Sequence, residues 1–177
     1  MTMRRRAILL VVIQCLLVSS IAAKYLYERA TSPRVWTRTV QYDPNLPMHG
    51  RYLALTPVVD ACDLVLNQRP EDIHSFGIRS FRARLVARDG RLVAEDARDL
   101  LPRSEFQSVS VGVNRPCDRG QIWPGIDYFV PENANSFFPL KPGRELWVEV
   151  TVPPSGPPRA IQLAVSENGT WQVLKFD

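Results

Sequence analysis

The feature that most constrains this chain is the uncharged run Ala7–Ala23 (AILLVVIQCLLVSSIAA), which follows Arg4, Arg5 and Arg6. As a helix rising about 1.5 Å per residue it covers roughly 25 Å, a little short of a ~30 Å hydrocarbon core. Lys24-Tyr25-Leu26-Tyr27 closes the gap, because lysine snorkels and tyrosine settles at the headgroup level. The positive-inside bias keeps Arg4–Arg6 cytoplasmic and places the remaining chain on the far side of the membrane. A cleaved signal peptide shows a similar pattern, with Ser20-x-Ala22 as its small-residue cleavage site. The run exceeds the roughly 7–15 apolar residues of a signal core, so a retained anchor is the preferred reading. Both routes export the domain. The chain then divides into a basic tip and transmembrane anchor over 1–27, a polar connector over 28–33 and a periplasmic domain over 34–177.

Export decides how charge and cysteine are read. Three of the formal +4 charges are Arg4–Arg6, and removing them leaves +1, which argues against a nucleic-acid surface. Arginine outnumbers lysine 19 to 3, a bias of GC-rich codons that points to a bacterium. In that setting Asn168-Gly169-Thr170 reads as a turn rather than a glycosylation site. Cys15 lies inside the apolar run after Gln14, which does not suit a lipoprotein cysteine. That leaves Cys62 and Cys117, an even pair in an exported domain, expected to form a disulfide between two strand ends. A zinc site recruiting His49 and His74 is the rival, but the spacing matches no known ligand pattern.

After the anchor the pattern is that of strands. Val35–Tyr42 and Arg51–Val59 carry β-branched and aromatic residues, with Pro57 marking an edge or a bulge. Asn67–Ser80 reads as a loop holding at most one helical turn. In Phe81–Arg88, Phe81, Ala83, Leu85 and Ala87 alternate with Arg82, Arg84 and Arg88, a row best read as a solvated outer face. Asp89-Gly90 turns the chain into Arg91–Glu95. Gln107–Asn114 sets Val109, Val111 and Val113 on one side. Further strands are Ile126–Val130, Glu145–Val152, Ala160–Ser166 and Thr170–Phe176, the last two joined at Asn168-Gly169. The proline-rich stretch Pro153–Pro158 is a loop. Eight to nine short strands with no convincing helix after the anchor predict an all-β domain, a sandwich or a partly open barrel.

Two stretches carry a resemblance. Asp43-Pro44-Asn45-Leu46-Pro47-Met48-His49-Gly50-Arg51-Tyr52-Leu53-Ala54-Leu55-Thr56 resembles the signature of the bacterial GDYXXLXY family, with Asp43, Pro44, Gly50, Tyr52 and Leu55 in matching places. Arg51 stands where that family has aspartate and Pro57 where it has the last tyrosine. Tyr128-Phe129-Val130-Pro131-Glu132 is similar to its second conserved run. The resemblance implies a membrane-anchored protein of unknown biochemical role, often encoded beside a polytopic membrane protein that would be its partner. The residues themselves favour a turn-to-strand corner over a binding site.

Enzymatic constellations are thin. A signal-peptidase-like serine protease would draw on Ser32 and Lys141, but Ser32 sits in Thr-Ser-Pro and Lys141 in Lys-Pro-Gly. A Ser–His–Asp triad has only His49 and His74 to supply its base. Asp127 and Glu132 could pair as glycosidase carboxylates, and Trp36, Trp123, Trp147 and Trp171 could stack on sugars. No phosphate loop or metal spacing appears, and no cofactor is expected. The expectation is a membrane-anchored binding or accessory subunit of an envelope assembly, with an envelope hydrolase (signal-peptidase-like or carbohydrate-active) as the alternative.

Overall fold

The computed structural model describes residues 3–42, 52–68, 73–74, 77–97, 106–130 and 142–175. They form two compact units, residues 1–32 and 33–177. The first is one helix, α1 (Met3–Thr31), in which an 18-residue stretch reaches a mean hydropathy of 2.2. Ile8, Leu16 and Val18 on it are 56%, 65% and 68% exposed, so the helix carries an apolar surface of its own. The connector expected over 28–33 is largely helical. Lys24 and Glu28 pair one turn apart at 3.7 Å, and the Thr31 hydroxyl donates to the Tyr27 carbonyl, carrying the helix to Thr31.

The second unit is all-β, as the alternating pattern predicts. Its strands are β1 (Arg34–Tyr42), β2 (Tyr52–Val59), β3 (Ile73–His74), β4 (Ile78–Arg88), β5 (Arg91–Asp96), β6 (Gln107–Gly112), β7 (Gly120–Trp123), β8 (Ile126–Phe129), β9 (Arg144–Thr151), β10 (Arg159–Glu167) and β11 (Thr170–Val173). They run in the order β11-β10-β9-β1-β2-β7-β6-β4-β3, with β5 added to β4 and β8 added to β2. All the expected strands are present, and β3 and β7 join them. A five-residue helix, α2 (Cys62–Leu66), also follows β2. The region read as a loop over Asn67–Ser80 contains β3 and the first three residues of β4.

Strand β2 belongs to both halves of the domain. Ala54–Pro57 pair with β1, and Tyr52–Leu55 pair on the opposite edge with β8. Val58 and Val59 then pair with β7. The two neighbours on that second edge are separated by Pro124-Gly125, which leaves a gap beside Pro57. Pro57 has no N–H to offer, and its fully buried ring occupies the point where the ladders change partner. Beyond it the Thr37 hydroxyl donates to the Val58 carbonyl, replacing a missing ladder bond.

The second half closes on itself. From β2 the antiparallel ladders run to β7, β6, β4 and β5. A parallel bridge then joins Val93 of β5 to Asp60, just past the end of β2. Asp60 N–H donates to the Leu92 carbonyl at 2.9 Å, and Ala94 N–H to the Asp60 carbonyl at 2.8 Å. The result is a five-strand ring from which β1, β9, β10 and β11 extend as an open arm.

One core serves ring and arm. Phe81, Ala83 and Leu85 of β4, Val109 and Val111 of β6, and Leu146, Val148 and Val150 of β9 are buried at alternate positions and join Leu55, Val59 and Leu163 in one cluster. Val113, expected on that buried side, is 41% exposed because β6 ends at Gly112 and the chain turns. Both expected turns have two central residues at positive φ, Asp89 and Gly90 at 51° and 72°, Asn168 and Gly169 at 50° and 82°.

The disulfide joins Cys62 to Cys117 with Cα atoms 4.7 Å apart. Cys62 opens α2 directly after β2, and Cys117 begins the 3-10 turn between β6 and β7. Beside it Ala61 N–H donates to the Cys117 carbonyl at 3.0 Å. The bridge therefore pins the ring where Asp60 closes it. With the two cysteines separated by 55 in sequence, removing the bridge through Cys62→Ala and Cys117→Ala together is expected to cost about 4 kcal/mol, read by urea unfolding with and without reductant. Gly125 tests the other pivot. A Cβ there would collide with the Leu55 carbonyl oxygen, so Gly125→Ala should lower stability by roughly 1–3 kcal/mol in the same assay.

Candidate binding face

The described parts of the two stretches that resemble the GDYXXLXY signature are neighbours in space. In the β2–β8 ladder Tyr52 lies opposite Phe129, Leu53 opposite Tyr128 and Leu55 opposite Ile126. Leu53, Leu55 and Val130 are buried, while Phe129 is 57% exposed. Tyr128 packs partly against the core, and that burial raises its phenol above the ordinary value of 10.0. A neutral phenol at working pH is a hydrogen-bonding group and not a base. Asp43, Pro44, Gly50 and Glu132 lie outside the described residues. What this corner does physically is pack strand against strand, with Gly125 pressed onto the Leu55 carbonyl.

The enzymatic candidates do not assemble among the described residues. His49, Glu132 and Lys141 lie outside them, and Ser32 belongs to the helical unit. His74 sits in β3, whose backbone pairs with β4. Asp127 is exposed on β8, at an open groove of about 630 Å³ that Phe106, Pro124, Pro158 and Arg159 also line. Among the described residues no three metal-ligating side chains come together. Two arginines of the row on β4, and Arg79 before it, have local partners. Arg88 pairs with Glu95 across the hairpin, Arg82 lies 5.4 Å over the Phe106 ring, and Arg79 donates to the Val113 carbonyl at 3.2 Å.

Three of the four tryptophans converge. Trp36 on β1 and Trp147 on β9 alternate with core residues and project from the opposite face of the arm, and the register of β9, β10 and β11 puts Trp171 on that same face. Trp36 and Trp171 meet edge to face at 5.3 Å, and Trp147 and Trp171 meet tilted at 4.9 Å. Such pairs contribute roughly 0.5–1.5 kcal/mol each beyond area burial. Ala164, opposite Trp147 in register, is fully buried although it lies on this outer face. Trp171 and Val173 stay 45% and 41% exposed, so the cluster is covered from below and open above. The Trp147 Nε1 is buried without a hydrogen-bond partner, a cost of about 1–3 kcal/mol in the isolated chain. Around the rings run an Arg38–Glu145 ion pair at 3.0 Å and a Gln162–Glu149 hydrogen bond at 2.9 Å. Trp123 stands apart on β7.

The cluster reaches the end of the sheet. Thr170–Val173 are exposed throughout, and among the described residues β11 pairs only with β10. Behind this edge lies a groove of about 370 Å³ lined by Arg144, Glu167, Thr170, Gln172 and Leu174. Arg144 and Glu167 pair there at 2.9 Å, leaving the Arg144 Nε buried and unbonded. An aromatic patch with a polar rim at an open strand edge is suited to recognition of another surface. No family model matches the chain, and it matches no curated protein and no solved structure.

Trp171 holds both ring contacts, so Trp171→Ala should abolish the coupled-indole signal in circular dichroism and lower stability by about 1–3 kcal/mol. Trp123→Ala should leave that signal in place.

Proposed function

We propose that this chain is a single-pass membrane protein whose β-domain stands outside the cytoplasm as a binding or accessory subunit of a membrane or envelope assembly. The observation that carries the reading is the tryptophan face at the open edge of a disulfide-locked β-domain. The apolar helix supports the tether, and Arg4–Arg6 support its orientation with the domain outside. The disulfide supports an oxidising compartment such as the periplasm. The likeness of Asp43–Thr56 and Tyr128–Glu132 to the GDYXXLXY signature supports a bacterial inner-membrane topology with a polytopic protein as partner.

The tether is tested by fractionation. Full-length protein should resist carbonate extraction, and a reporter fused after Asp177 should be active only outside the cytoplasm. A soluble species beginning near Ala23 would overturn the anchor in favour of a cleaved signal peptide. The binding role is tested on native gels of mild-detergent extracts. Wild type should migrate in an assembly larger than the monomer, and Trp36→Ala with Trp171→Ala should release it while the domain stays membrane-bound and oxidised. Hydrolytic activity of the purified protein, lost in Asp127→Asn, would instead establish the hydrolase that the 630 Å³ groove could house.

A further inference from the structure

The ladder alternation shows which atoms the open edge offers. In antiparallel strands, residues whose N–H and C=O face the neighbour alternate with residues that face away. Leu174 N–H donates to the Leu163 carbonyl at 2.8 Å, in register with the Ala164–Val173 pairing. Leu174, Gln172 and Thr170 are thus turned toward β10. Trp171 and Val173 must therefore direct their N–H and C=O groups to the free edge. These are the same residues whose side chains lie exposed on the outer face.

This edge lacks the usual guards. Thr170-Trp171-Gln172-Val173 contains no charge, no proline and no bulge, the devices by which sheets avoid pairing with other chains. It is also self-complementary about Gln172. A second copy laid antiparallel across a two-fold axis at Gln172 sets Trp171 against Val173 of the partner subunit and Val173 against Trp171 of the partner subunit. Both pairs are of the hydrogen-bonded kind, so four backbone bonds form. Each exposed valine meets an exposed indole on the outer face, continuing the tryptophan cluster. On the other face the two Gln172 amides meet at the axis, beside the groove where Arg144 Nε lacks an acceptor. No like charges are opposed. Lys175 comes level with the Asn168-Gly169 turn of the second copy, next to Glu167, which carries the opposite sign.

We infer that β11 is a homodimer edge: two copies of this chain pair antiparallel through Trp171 and Val173, joining their arms into one continuous sheet about a two-fold axis at Gln172. The interaction is isologous and closes at two copies. Four residues a side give a small contact, and the inference rests on the anchored reading above, because confinement to one bilayer raises the concentration of one copy around another.

The register fixes the test. Gln172 faces Gln172 of the partner subunit in the non-hydrogen-bonded kind of pair, with Cα atoms about 4.5 Å apart, within reach of a disulfide. The full chain carrying Cys15→Ser and Gln172→Cys is oxidised in its native membranes and run without reductant, beside Arg84→Cys as an exposed control on β4. Most of the Gln172→Cys protein should shift to twice the 20.1 kDa monomer mass, and little of the control should. Val173→Pro added to Gln172→Cys should abolish the adduct. Since the Val173 N–H faces the free edge, this proline removes no bond to β10, and protected Cys62 and Cys117 thiols report that the fold survives. Absence of an adduct above the control, an adduct of some other mass, or an adduct indifferent to Val173→Pro would each overturn the dimer. Carbonate extraction of the same membranes separates the two claims. Retention without crosslinking sinks the dimer alone, and release of the protein sinks the tether.

Discussion

The structure of the domain depends on one strand holding two sets of neighbours. Over its first half β2 belongs to the arm, between β1 and β8, and over its last residues it belongs to the ring, beside β7. Pro57 makes the exchange possible because it requires no partner for an N–H it does not have. Gly125 makes it compact, since only a missing Cβ lets the break between β7 and β8 lie on the Leu55 carbonyl. One residue past the strand, Asp60 closes the ring through β5, and two residues later Cys62 is bridged to Cys117. Pivot, closure and covalent staple thus occupy a single short stretch, with Leu55 and Val59 of the same strand at the centre of the common core.

Around that pivot the molecule separates structural burdens from exposed ones. The ring carries the disulfide and has closed most of its edges. The arm ends on β11, where the backbone of Trp171 and Val173 faces outward beneath a partly open aromatic cluster. The covalent staple thus lies in the ring and the unfinished edge at the end of the arm. The disulfide itself suits an oxidising compartment, where such a bond persists.

Much of this was legible in the residues. Period-two patterns in Phe81–Leu85 and Leu146–Val150 carry burial directly, because one face of each strand meets the core. Asp89-Gly90 and Asn168-Gly169 announce their turns through local dihedral preference. The cysteine pairing followed from export and parity. What lay beyond reach depends on contacts between distant strands. The two-residue β3 and four-residue β7 are too short to show a period, and the closure at Asp60 leaves no local signature. The tryptophans sit on three different strands, and only the order β11-β10-β9-β1 brings their rings together over Ala164. Pro57 was readable as a disruption, but not as the strand's change of sheet. The polar stretch after Tyr27 continues the helix to Thr31 through an i,i+4 ion pair and a hydroxyl bond, which sustain helix without the apolar stripe that a sequence would show.

The central claim is that β2 and its closure at Asp60 bind ring and arm into one cooperative unit. Native-state hydrogen exchange tests it most directly, because protection separates local opening from global unfolding. The amides of Asp60 and Ala94, which form the closing bonds, should exchange only through global unfolding, with the same free energy as Val148 in the middle of β9. If Asp60 and Ala94 instead exchange through a low-energy opening while β9 stays protected, the ring is not closed there and the account fails.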